Sequence, residues 1–586
     1  MGGAPAPAAD LTVHYSLDLR ATETHLAKVE MTVPEAPPKT EIQFPAWNAL
    51  YQIRDFVRNV EDVRATCDGN ALKLKRVDLE TWRTRDGACS TLKVTYSVYI
   101  NEESPFSSVL NQHHCYMNLA MLLFYLPEGR NRPVEASYIV PEGWKLATFL
   151  PDTEMPNQFD AANYGALVDS PVEAGHFDEF SYQQKGATYR VIVDADAADY
   201  SSKRLLASLE KITDYETEMM QDVPFKQYTF LFHFLAAGGG GGMEHAYGTA
   251  ISLPASSVHE NWGYVESTSA HEFFHLWNVK RIRPAGLEPV DYVHGNDTGA
   301  LWFSEGVTST YQELTLVRTG LTSHDDLYRR IAFQIGLLQD RPARTFQSVE
   351  QAGRSAWLEK YPDYLRPERS ISYYNKGELL GFLLDLAIRH ATANRKSLDD
   401  VMRRLNEDFA KRHRTFTQSD LLNVVAEVAP EFGGRTEFFK DYVYGTRELD
   451  YNEYLGYAGL SLLTTTAAQW ALGFRAERGF SGPYTVASVV PDGNAARAGM
   501  QDGDVLISMN GRPVTDPPER LLGSTRGGGK VEFEVRRGRQ ILRFTYRLEK
   551  ASVNSYRVEE IAHPTKEQLR VRSGWLEGKT EAARER

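Results

Sequence analysis

Hydrophobic and polar residues alternate with a period of two through much of the N-terminal third of the chain. The alternation is clearest over residues 11–19, and it returns over residues 29–33 and 92–98. Successive side chains of a strand point to opposite faces of a sheet, so this pattern predicts strands with one buried face. We therefore expect an N-terminal antiparallel β-sheet domain over residues 1–197.

The hydrophobic spacing lengthens to three or four residues after Asp194. Leu205, Leu209 and Ile212 are the first apolar residues with this spacing, which dominates until about residue 450. Residues three or four positions apart lie on one face of a helix. The pattern predicts a mainly helical second domain over residues 198–456.

The last quarter of the chain returns to short β-like runs. These runs cover residues 484–490, 505–509, 531–535 and 541–546, and residues typical of turns separate them. They predict a small β domain over residues 457–550, followed by a C-terminal extension over residues 551–586. The charged end of that extension, from Lys579 onward, is typical of a frayed tail.

The length and the composition are those of a folded protein with several domains. A chain of 586 residues corresponds to about four average domains, which excludes a single small binding module. Hydrophobic residues make up 42% and charged residues 24%, which excludes a disordered or collagen-like chain. The formal net charge of −13 repels phosphate backbones, so we expect no nucleic-acid partner.

Neither a membrane span nor a compartment is evident in the sequence. The longest apolar candidate, residues 379–388, contains Asp385 and is shorter than the 18 or more residues that a span needs. Residues 1–10 lack the basic and apolar regions of a signal peptide, although their small residues fit the remnant of a cleaved one. The compartment stays open: periplasmic or secreted if a signal peptide was removed, otherwise cytoplasmic.

Three cysteines constrain the redox chemistry only in part. Cys67, Cys89 and Cys115 permit one disulfide and leave one thiol over. The sequence does not determine whether Cys67 and Cys89 are bridged.

The segment His271-Glu272-Phe273-Phe274-His275 carries the strongest chemical signal in the chain. On a helix, positions i and i+4 share a face, so both imidazoles can bind one Zn²⁺. Glu272 lies beside them and can accept a proton from a water molecule that zinc activates. The segment predicts a zinc site with Glu272 as the general base.

A catalytic zinc site needs a third protein ligand and one open position. The downstream candidates are Asp291, His294, Asp297 and Glu305. The first three lie in a stretch that is typical of a loop, whereas Glu305 leads into a helical pattern. A ligand on a packed helix is held more firmly than one on a loop, so we expect Glu305 to be the third ligand.

The sequence resembles the M61 glycyl aminopeptidase family, which is related to the M1 aminopeptidases within the gluzincins. The resemblance rests on residues 271–275, on the following residues LWNVKRIRP and on the segment WFSEG at residues 302–306. It implies a thermolysin-like zinc catalytic domain, one Zn²⁺ per chain and hydrolysis of the first peptide bond of substrates with a free N-terminus. The family name implies that Gly or Ala is the preferred N-terminal residue.

A second segment resembles the G-x-M-E-N strand of the M1 enzymes. Its residues are Gly241, Gly242, Met243, Glu244 and His245, where His245 replaces the Asn of the M1 enzymes. The resemblance implies that the segment binds substrate and that Glu244 binds its α-amino group. An unpaired carboxylate beside a zinc site is a suitable receptor for an ammonium group, because only an N-terminus supplies that charge there.

A third segment, Tyr373-Tyr374-Asn375-Lys376-Gly377, resembles the Y-x-K-G segment of the M1 enzymes. The resemblance assigns to Tyr374 the role of stabilising the tetrahedral oxyanion, with Tyr373 as the alternative. A phenol that donates to developing negative charge lowers the barrier of the reaction.

The β domain near the C-terminus resembles a PDZ domain. The resemblance rests on the loop of Leu472, Gly473 and Phe474 and on the segments at residues 488–490, 494–506 and 510–511. It implies that the N–H groups of the loop receive the carboxylate of a C-terminal peptide beside an open strand edge. The alternative is a PDZ domain that packs on the catalytic domain and binds nothing in trans.

Three functions remain open at this point. The first is a zinc aminopeptidase, and the second is a zinc endopeptidase in which Glu244 only buttresses the site. The third is a peptide-binding PDZ protein without catalysis. The presence of His271, Glu272, His275, Glu305 and Tyr374 together favours an enzyme over the third function.

Overall fold

A computed structural model describes residues 11–47, 51–236, 238–357, 368–478, 483–522 and 529–581. The chain divides into two compact units. The first comprises Met1–Leu327, Arg341–Gly459 and Ala562–Arg586, and the second comprises Tyr328–Asp340 and Leu460–Ile561. The predicted β-sheet and helical regions thus share one unit. Residues 1–10, with their possible signal-peptide remnant, lie outside the described residues.

The N-terminal part of the first unit is built from β-strands, as the period of two predicts. Its elements are β1 (Val13–Asp18), β2 (Leu26–Ala36), β3 (Glu41–Gln43), β4 (Val60–Cys67), β5 (Asn70–Leu72), β6 (Lys75–Arg76), β7 (Thr81–Arg83), β8 (Cys89–Tyr99), β9 (Val109–Leu110), β10 (His114–Met117), β11 (Val134–Ile139), β12 (Lys145–Thr148), β13 (Gln158–Ala161), α1 (Tyr164–Val168) and β14 (Val172–Gly175).

These strands form several sheets, and the largest of them buries one face. A seven-stranded sheet has the order β13-β11-β1-β2-β8-β4-β5, a four-stranded sheet has the order β12-β14-β10-β9, and β3-β7-β6 form a third sheet. Along β1, Val13, Tyr15 and Leu17 are buried and the residues between them are not. All pairs in the large sheet are antiparallel except β1 with β11, which run parallel.

Cys67 at the end of β4 and Cys89 at the start of β8 form a disulfide. Cys115, on β10, is the remaining thiol and is buried.

A five-stranded sheet follows, with the order β15-β16-β17-β19-β18. Its strands are β15 (Asp178–Gln184), β16 (Ala187–Asp194), β17 (Gln227–Leu235), β18 (Gly241–His245) and β19 (Gly248–Pro254). β17 pairs in parallel with β16 and with β19, whereas the edge strands β15 and β18 pair antiparallel with β16 and β19. The predicted domain boundary at residue 197 therefore falls inside the chain segment that forms this sheet.

Helices make up most of the remainder of the first unit. They are α2 (Ser202–Met220), α3 (Ala255–Glu260), α4 (Trp262–Phe274), α5 (Thr308–Arg318), α6 (His324–Gln339), α7 (Val349–Ser355), α8 (Tyr373–Ala391), α9 (Leu398–Asp408), α10 (Gln418–Val428), α11 (Arg435–Phe438), α12 (Tyr451–Tyr457) and α15 (Lys566–Glu577). α6 crosses from the first unit into the second.

The helical core packs α4 against α5. The ring of Phe274 stacks on the ring of Tyr311 with centroids 4.3 Å apart. Leu205, Leu209 and Ile212 of α2 are all buried, as their spacing predicts. The N-terminal β-sheet region, the helical region and the small β domain confirm the predicted mixed α+β class.

The C-terminal extension does not fray at Lys579. Trp575 of α15 is fully buried and lies edge-on to Phe382 of α8, with ring centroids 6.1 Å apart. The guanidinium of Arg389 donates to the carbonyl of Lys579 at 2.9 Å. The prediction of a frayed tail was wrong for Lys579–Glu581, because the apolar face of the preceding helix α15 packs on the core and orders these residues. Residues 582–586 lie outside the described residues.

The second unit contains the predicted small β domain. Its elements are β20 (Leu460–Ala471), β21 (Phe474–Arg478), β22 (Tyr484–Val489), α13 (Asn494–Ala498), β23 (Val505–Met509), β24 (Arg512–Pro513), α14 (Pro518–Leu521), β25 (Lys530–Arg537), β26 (Gln540–Arg547) and β27 (Glu549–Glu560). One sheet has the order β21-β22-β23-β25-β26, and β20 pairs with β27. The predicted boundary at residue 550 falls inside β27.

Among the described residues, no helix combines the length and the apolar character that crossing a membrane requires.

The burial of α15 gives a test of the fold. Replacing the fully buried Trp575 by Ala leaves a cavity, so we expect the free energy of unfolding of the first unit to fall by about 3–5 kcal/mol. Leu569 on the same helix is 43% exposed, and its replacement by Ala is the matched control. Urea unfolding followed by circular dichroism measures both. Equal stabilities of the two variants would mean that α15 does not pack on the core.

Candidate active site

Helix α4 presents the two histidines of the predicted zinc site. His271 lies in its last turn and His275 caps its C-terminus, and their ring centroids are 4.6 Å apart. α4 contains no proline and buries Val265, Phe273 and Phe274, so the helix is fixed by its apolar face. The helical spacing thus brings both imidazoles to one place, as the sequence predicts.

Glu305 comes to the same place from a different element. It lies in a one-turn π-helix, Trp302–Val307, which continues directly into α5. Its Oε2 atom is 3.5 Å from Nε2 of His271 and 3.4 Å from Nε2 of His275. Such π-turns are frequent at functional sites. Of the four candidate ligands, Glu305 is the one that joins the two histidines in a group with metal-binding geometry among the described residues.

The distances among His271, His275 and Glu305, which we call the zinc group, suit a tetrahedral zinc ion. Metal–ligand bonds of about 2.0–2.1 Å at tetrahedral angles place the ligand atoms about 3.3 Å apart. The side chain of Glu305 is 2% exposed, and its Oε2 atom has no hydrogen-bond partner among the described residues. A buried carboxylate oxygen without a partner is costly, and a cation bound between the three side chains removes that cost. The donor set therefore fits zinc.

Asn278 positions both His275 and the segment that carries Glu305. Its carbonyl accepts a hydrogen bond from Nδ1 of His275 at 2.6 Å, which turns Nε2 toward Glu305. Its side-chain amide donates to the carbonyl of Phe303 at 2.8 Å and to the hydroxyl of Thr308 at 3.1 Å. Sequence reasoning did not assign a role to Asn278, although it is a polar residue within a buried apolar run.

Two glycines fix the π-helix against α8. A Cβ atom on Gly306 would overlap the backbone of Gly377, and one on Gly377 would overlap the carbonyl of Trp302. The hydroxyl of Thr310 also donates to the carbonyl of Glu378 at 2.9 Å. The segments WFSEG and YYNKG therefore end in glycine because their backbones touch.

This contact brings Tyr374 to the histidines. Its ring lies nearly parallel to the ring of His271, with centroids 6.1 Å apart. Tyr373 is buried next to it, with a centroid distance of 4.9 Å between the two tyrosine rings. Of the two tyrosines, Tyr374 is thus the one whose ring contacts His271 of the zinc group.

Glu272 lies between the zinc group and strand β18. Its side chain is buried, and a Cβ atom on Gly242 would overlap its carboxyl group. Only glycine at position 242 leaves room for this carboxyl. Gly242 thus has a steric role in addition to the substrate binding that the resemblance implies for its segment.

Glu244 extends from β18 into the same buried region. Carboxylate oxygens of Glu244 and Glu272 and a ring nitrogen of His275 lie within 4.8 Å of one another. Glu244 is 9% exposed. The structure therefore brings Glu244 to the general-base candidate and to a zinc-ligand candidate.

Gly241, Met243 and His245 of the β18 segment make contacts with other residues. Nδ1 of His245 is 3.3 Å from the carboxylate of Asp169, and His245 and Met243 line a cavity of about 480 Å³. Sδ of Met243 accepts a hydrogen bond from Asn118 at 3.2 Å. Gly241 has φ +140°, which favours glycine, and a Cβ atom there would lie 3.2 Å from the ring of Phe106.

Burial and charge shape the protonation of the site. Burial raises the pKa of Glu272 well above its usual value, and the nearby Glu244 and Glu305 add to the rise. Burial also raises the pKa of Glu244. Although burial alone would lower it, the charge of Glu305 raises the pKa of His275 to about 10. The site concentrates acidic side chains, and a bound cation or a substrate ammonium would favour their ionised forms.

The loop of Leu472, Gly473 and Phe474 connects strands β20 and β21 of the small β domain. Gly473 has φ +79°, which favours glycine, and its carbonyl accepts from the N–H of Val490 at 2.9 Å. Leu472 and Phe474 are buried in the domain core. β21, which begins at Phe474, is the first strand of its sheet, so the loop lies beside an edge strand as the sequence predicts.

Three family models match the chain. The M61 N-terminal domain matches residues 14–176, the M61 glycyl aminopeptidase matches residues 265–380, and a PDZ domain matches residues 485–537. The second match contains the histidine pair, Glu305 and both tyrosines.

The fold is shared with a solved structure. An aminopeptidase N family protein from Idiomarina loihiensis has a TM-score of 0.85 at 24% identity, covering 96% of this chain and all of that one. An M1 zinc metallopeptidase from Deinococcus radiodurans has a TM-score of 0.48 at 16% identity, covering 75% of this chain and 94% of that one.

Curated proteins match a short segment. A probable periplasmic serine endoprotease DegP-like of Pseudomonas putida is 46% identical over 53 residues, which are 8% of this chain and 11% of that protein. The serine protease HTRA3 of Rattus norvegicus is 42% identical over 65 residues, which are 11% of this chain and 14% of that protein. These matches cover too little of either protein to assign an activity.

The family models, matched in chain order, confirm the resemblance on which the sequence interpretation rests. The chain thus carries an M61 N-terminal domain, a region that matches the M61 glycyl aminopeptidase and a PDZ domain near its C-terminus.

Proposed function

We propose that the protein is a zinc aminopeptidase that hydrolyses the first peptide bond of peptides with a free N-terminus. The observation that carries the proposal is the convergence of His271, His275 and Glu305 with Glu272 and Glu244 in one buried region. The matched family description supports Gly, and with it the similarly small Ala, as the preferred N-terminal residue.

His271, His275 and Glu305 would hold one zinc ion through the two Nε2 atoms and a carboxylate oxygen. Three protein ligands leave one position open, which is the pattern of catalytic rather than structural zinc sites. Bound there, zinc would polarise the scissile carbonyl and lower the pKa of water, and its charge would favour the carboxylate form of the neighbouring glutamates.

The surrounding side chains divide the remaining work. Glu272 takes a proton from the attacking water and then delivers it to the leaving amine. Glu244 accepts hydrogen bonds from the substrate ammonium, which fixes the position of the first peptide bond. The hydroxyl of Tyr374 donates to the oxyanion of the tetrahedral intermediate. The product is one free amino acid and a peptide shortened by one residue.

Two alternatives make different demands on the same residues. In an endopeptidase Glu244 would only support the site, and a blocked N-terminus would not matter. In a non-catalytic PDZ protein the zinc group would take part in no reaction.

For the PDZ domain we propose a C-terminal peptide as ligand, whose carboxylate the N–H groups of Leu472–Phe474 would receive.

The first prediction concerns the free N-terminus. We expect Gly- and Ala-anilides to be cleaved faster than the Leu-anilide, and N-acetylated forms of all three to be inert. Glu244→Gln removes a charge-assisted contact, so kcat/KM for the free substrates should fall about 10- to 100-fold. Anilide release measured by absorbance checks both. Cleavage of acetylated and free substrates at similar rates would favour the endopeptidase, and a preference for Leu would contradict the Gly/Ala proposal alone.

The second prediction concerns the glycine beside Glu272. Gly242→Ala displaces the Glu272 carboxyl, so kcat should fall at least about 100-fold, as for Glu272→Gln, while the zinc content is unchanged. Gly263→Ala is the matched control, because its Cβ atom would have no neighbour closer than 3.6 Å. Steady-state kinetics and metal analysis measure the effects. Normal turnover in Gly242→Ala would remove Glu272 from the proton-transfer role.

The third prediction separates the two tyrosines. Tyr374→Phe deletes the proposed oxyanion donor, so kcat should fall about 100-fold with little change in KM. Tyr373→Phe removes the same atom from the adjacent side chain and should retain most of the activity. If the two kinetic results are exchanged, Tyr373 is the donor.

A further inference from the structure

A second group of metal-binding side chains lies outside the candidate active site. His114 is on β10, Glu173 on β14, Asp194 at the end of β16 and His233 on β17. One potential ligand atom from each residue lies within 4.8 Å of the others. His114, Glu173 and His233 are buried, and the side chain of Asp194 is 25% exposed. None of the four belongs to the groups around His275.

One ring nitrogen of each imidazole faces the carboxylates of the group. Nδ1 of His114 is 3.1 Å from Oε1 of Glu173 and 3.1 Å from Oδ2 of Asp194. Nε2 of His233 is 2.9 Å from Oε2 of Glu173. These separations are close to the roughly 3.3 Å that tetrahedral zinc imposes on its ligand atoms.

The other ring nitrogen of each imidazole has a partner outside the group. Nε2 of His114 is 3.3 Å from Oε1 of Glu103, and Nδ1 of His233 is 3.2 Å from the hydroxyl of Ser252. Histidines that bind metals almost always use their second nitrogen in this way, toward a carboxylate, a carbonyl or another polar group. This outer set of partners is a second observation that points to a metal, independent of the clustering itself.

The charges of the group also favour a divalent cation. Glu173 is a fully buried carboxylate, and Asp194 brings a second negative charge against it. An uncompensated buried charge costs several kcal/mol. A divalent ion between two carboxylates and two neutral imidazoles leaves the four-residue group with no net charge.

We propose that His114, Glu173, Asp194 and His233 bind a structural zinc ion, separate from the catalytic zinc of the proposed function. Four protein ligands fill a tetrahedral zinc, so this ion would have no open position for substrate. The ligands come from the sheet β12-β14-β10-β9 and from the sheet of β15–β19. The ion would therefore fasten the N-terminal β region to the sheet that carries Glu244.

In the alternative to metal binding, the imidazoles of this group are protonated and no metal is bound. Although burial lowers it, Glu103 and Glu173 raise the pKa of His114 to about 11 when no ion is present. In that state the group is a buried ion-pair network, and the full-length protein carries a single zinc. Metal stoichiometry separates the two states.

The experiment is metal analysis by mass spectrometry of the full chain after dialysis against zinc-free buffer. We expect two zinc equivalents in the wild type and one in His271→Ala/His275→Ala. Adding His233→Ala to that double variant should remove the remaining equivalent. Adding His14→Ala instead should not, because His14 pairs with a single carboxylate at the surface. No zinc in the double variant would overturn the proposal.

A second measurement covers the case in which His233→Ala does not fold. The double variant is stripped of metal, and its melting temperature is measured with and without added zinc at neutral pH. Zinc should raise the melting temperature, since it binds the folded state. Asp194→Asn, at the partly exposed ligand, should reduce that rise. The assignment would be contradicted if zinc did not raise the melting temperature of the His271→Ala/His275→Ala variant. It would also be contradicted if adding Asp194→Asn left that rise unchanged.

Discussion

The buried carboxylate of Glu305, held against two imidazoles, is the constraint around which the catalytic unit is organised. Its Oε2 atom faces both Nε2 atoms and has no hydrogen-bond partner among the described residues. A cation bound between the three side chains would compensate this buried charge. Asn278 and the contact between Gly306 and Gly377 hold the carboxylate in place, so the surrounding fold fixes the site before any substrate arrives.

The reacting groups are placed on rigid elements and not on loops. The histidines lie at the end of α4, and Glu244 lies on the edge strand β18, whose Gly242 leaves room for Glu272. In the proposed mechanism, a β-strand beside a helix fixes the distance between Glu244 as ammonium receptor and Glu272 as general base, which is what cleavage at one defined bond requires. The same geometry explains why a single methyl group at position 242 would be harmful.

The sequence predicted the parts of the site that depend on local spacing. The helical repeat placed His271 and His275 on one face, and the contrast between loop-like and helical context favoured Glu305. It did not assign a role to Asn278, and it did not reveal the group around Glu173. The successive members of that group are 59, 21 and 39 positions apart, and they meet because two sheets pack against each other. Long-range contacts of this kind leave no periodic signal in a single sequence.

The proposed chemistry depends on one zinc ion bound by His271, His275 and Glu305. Anomalous diffraction collected above and below the zinc absorption edge from crystals of the full chain tests this most directly. We expect a peak about 2.0–2.1 Å from Nε2 of both histidines and from a carboxylate oxygen of Glu305. No anomalous peak between these three side chains, or a Glu305 carboxylate turned away from both rings, would contradict it.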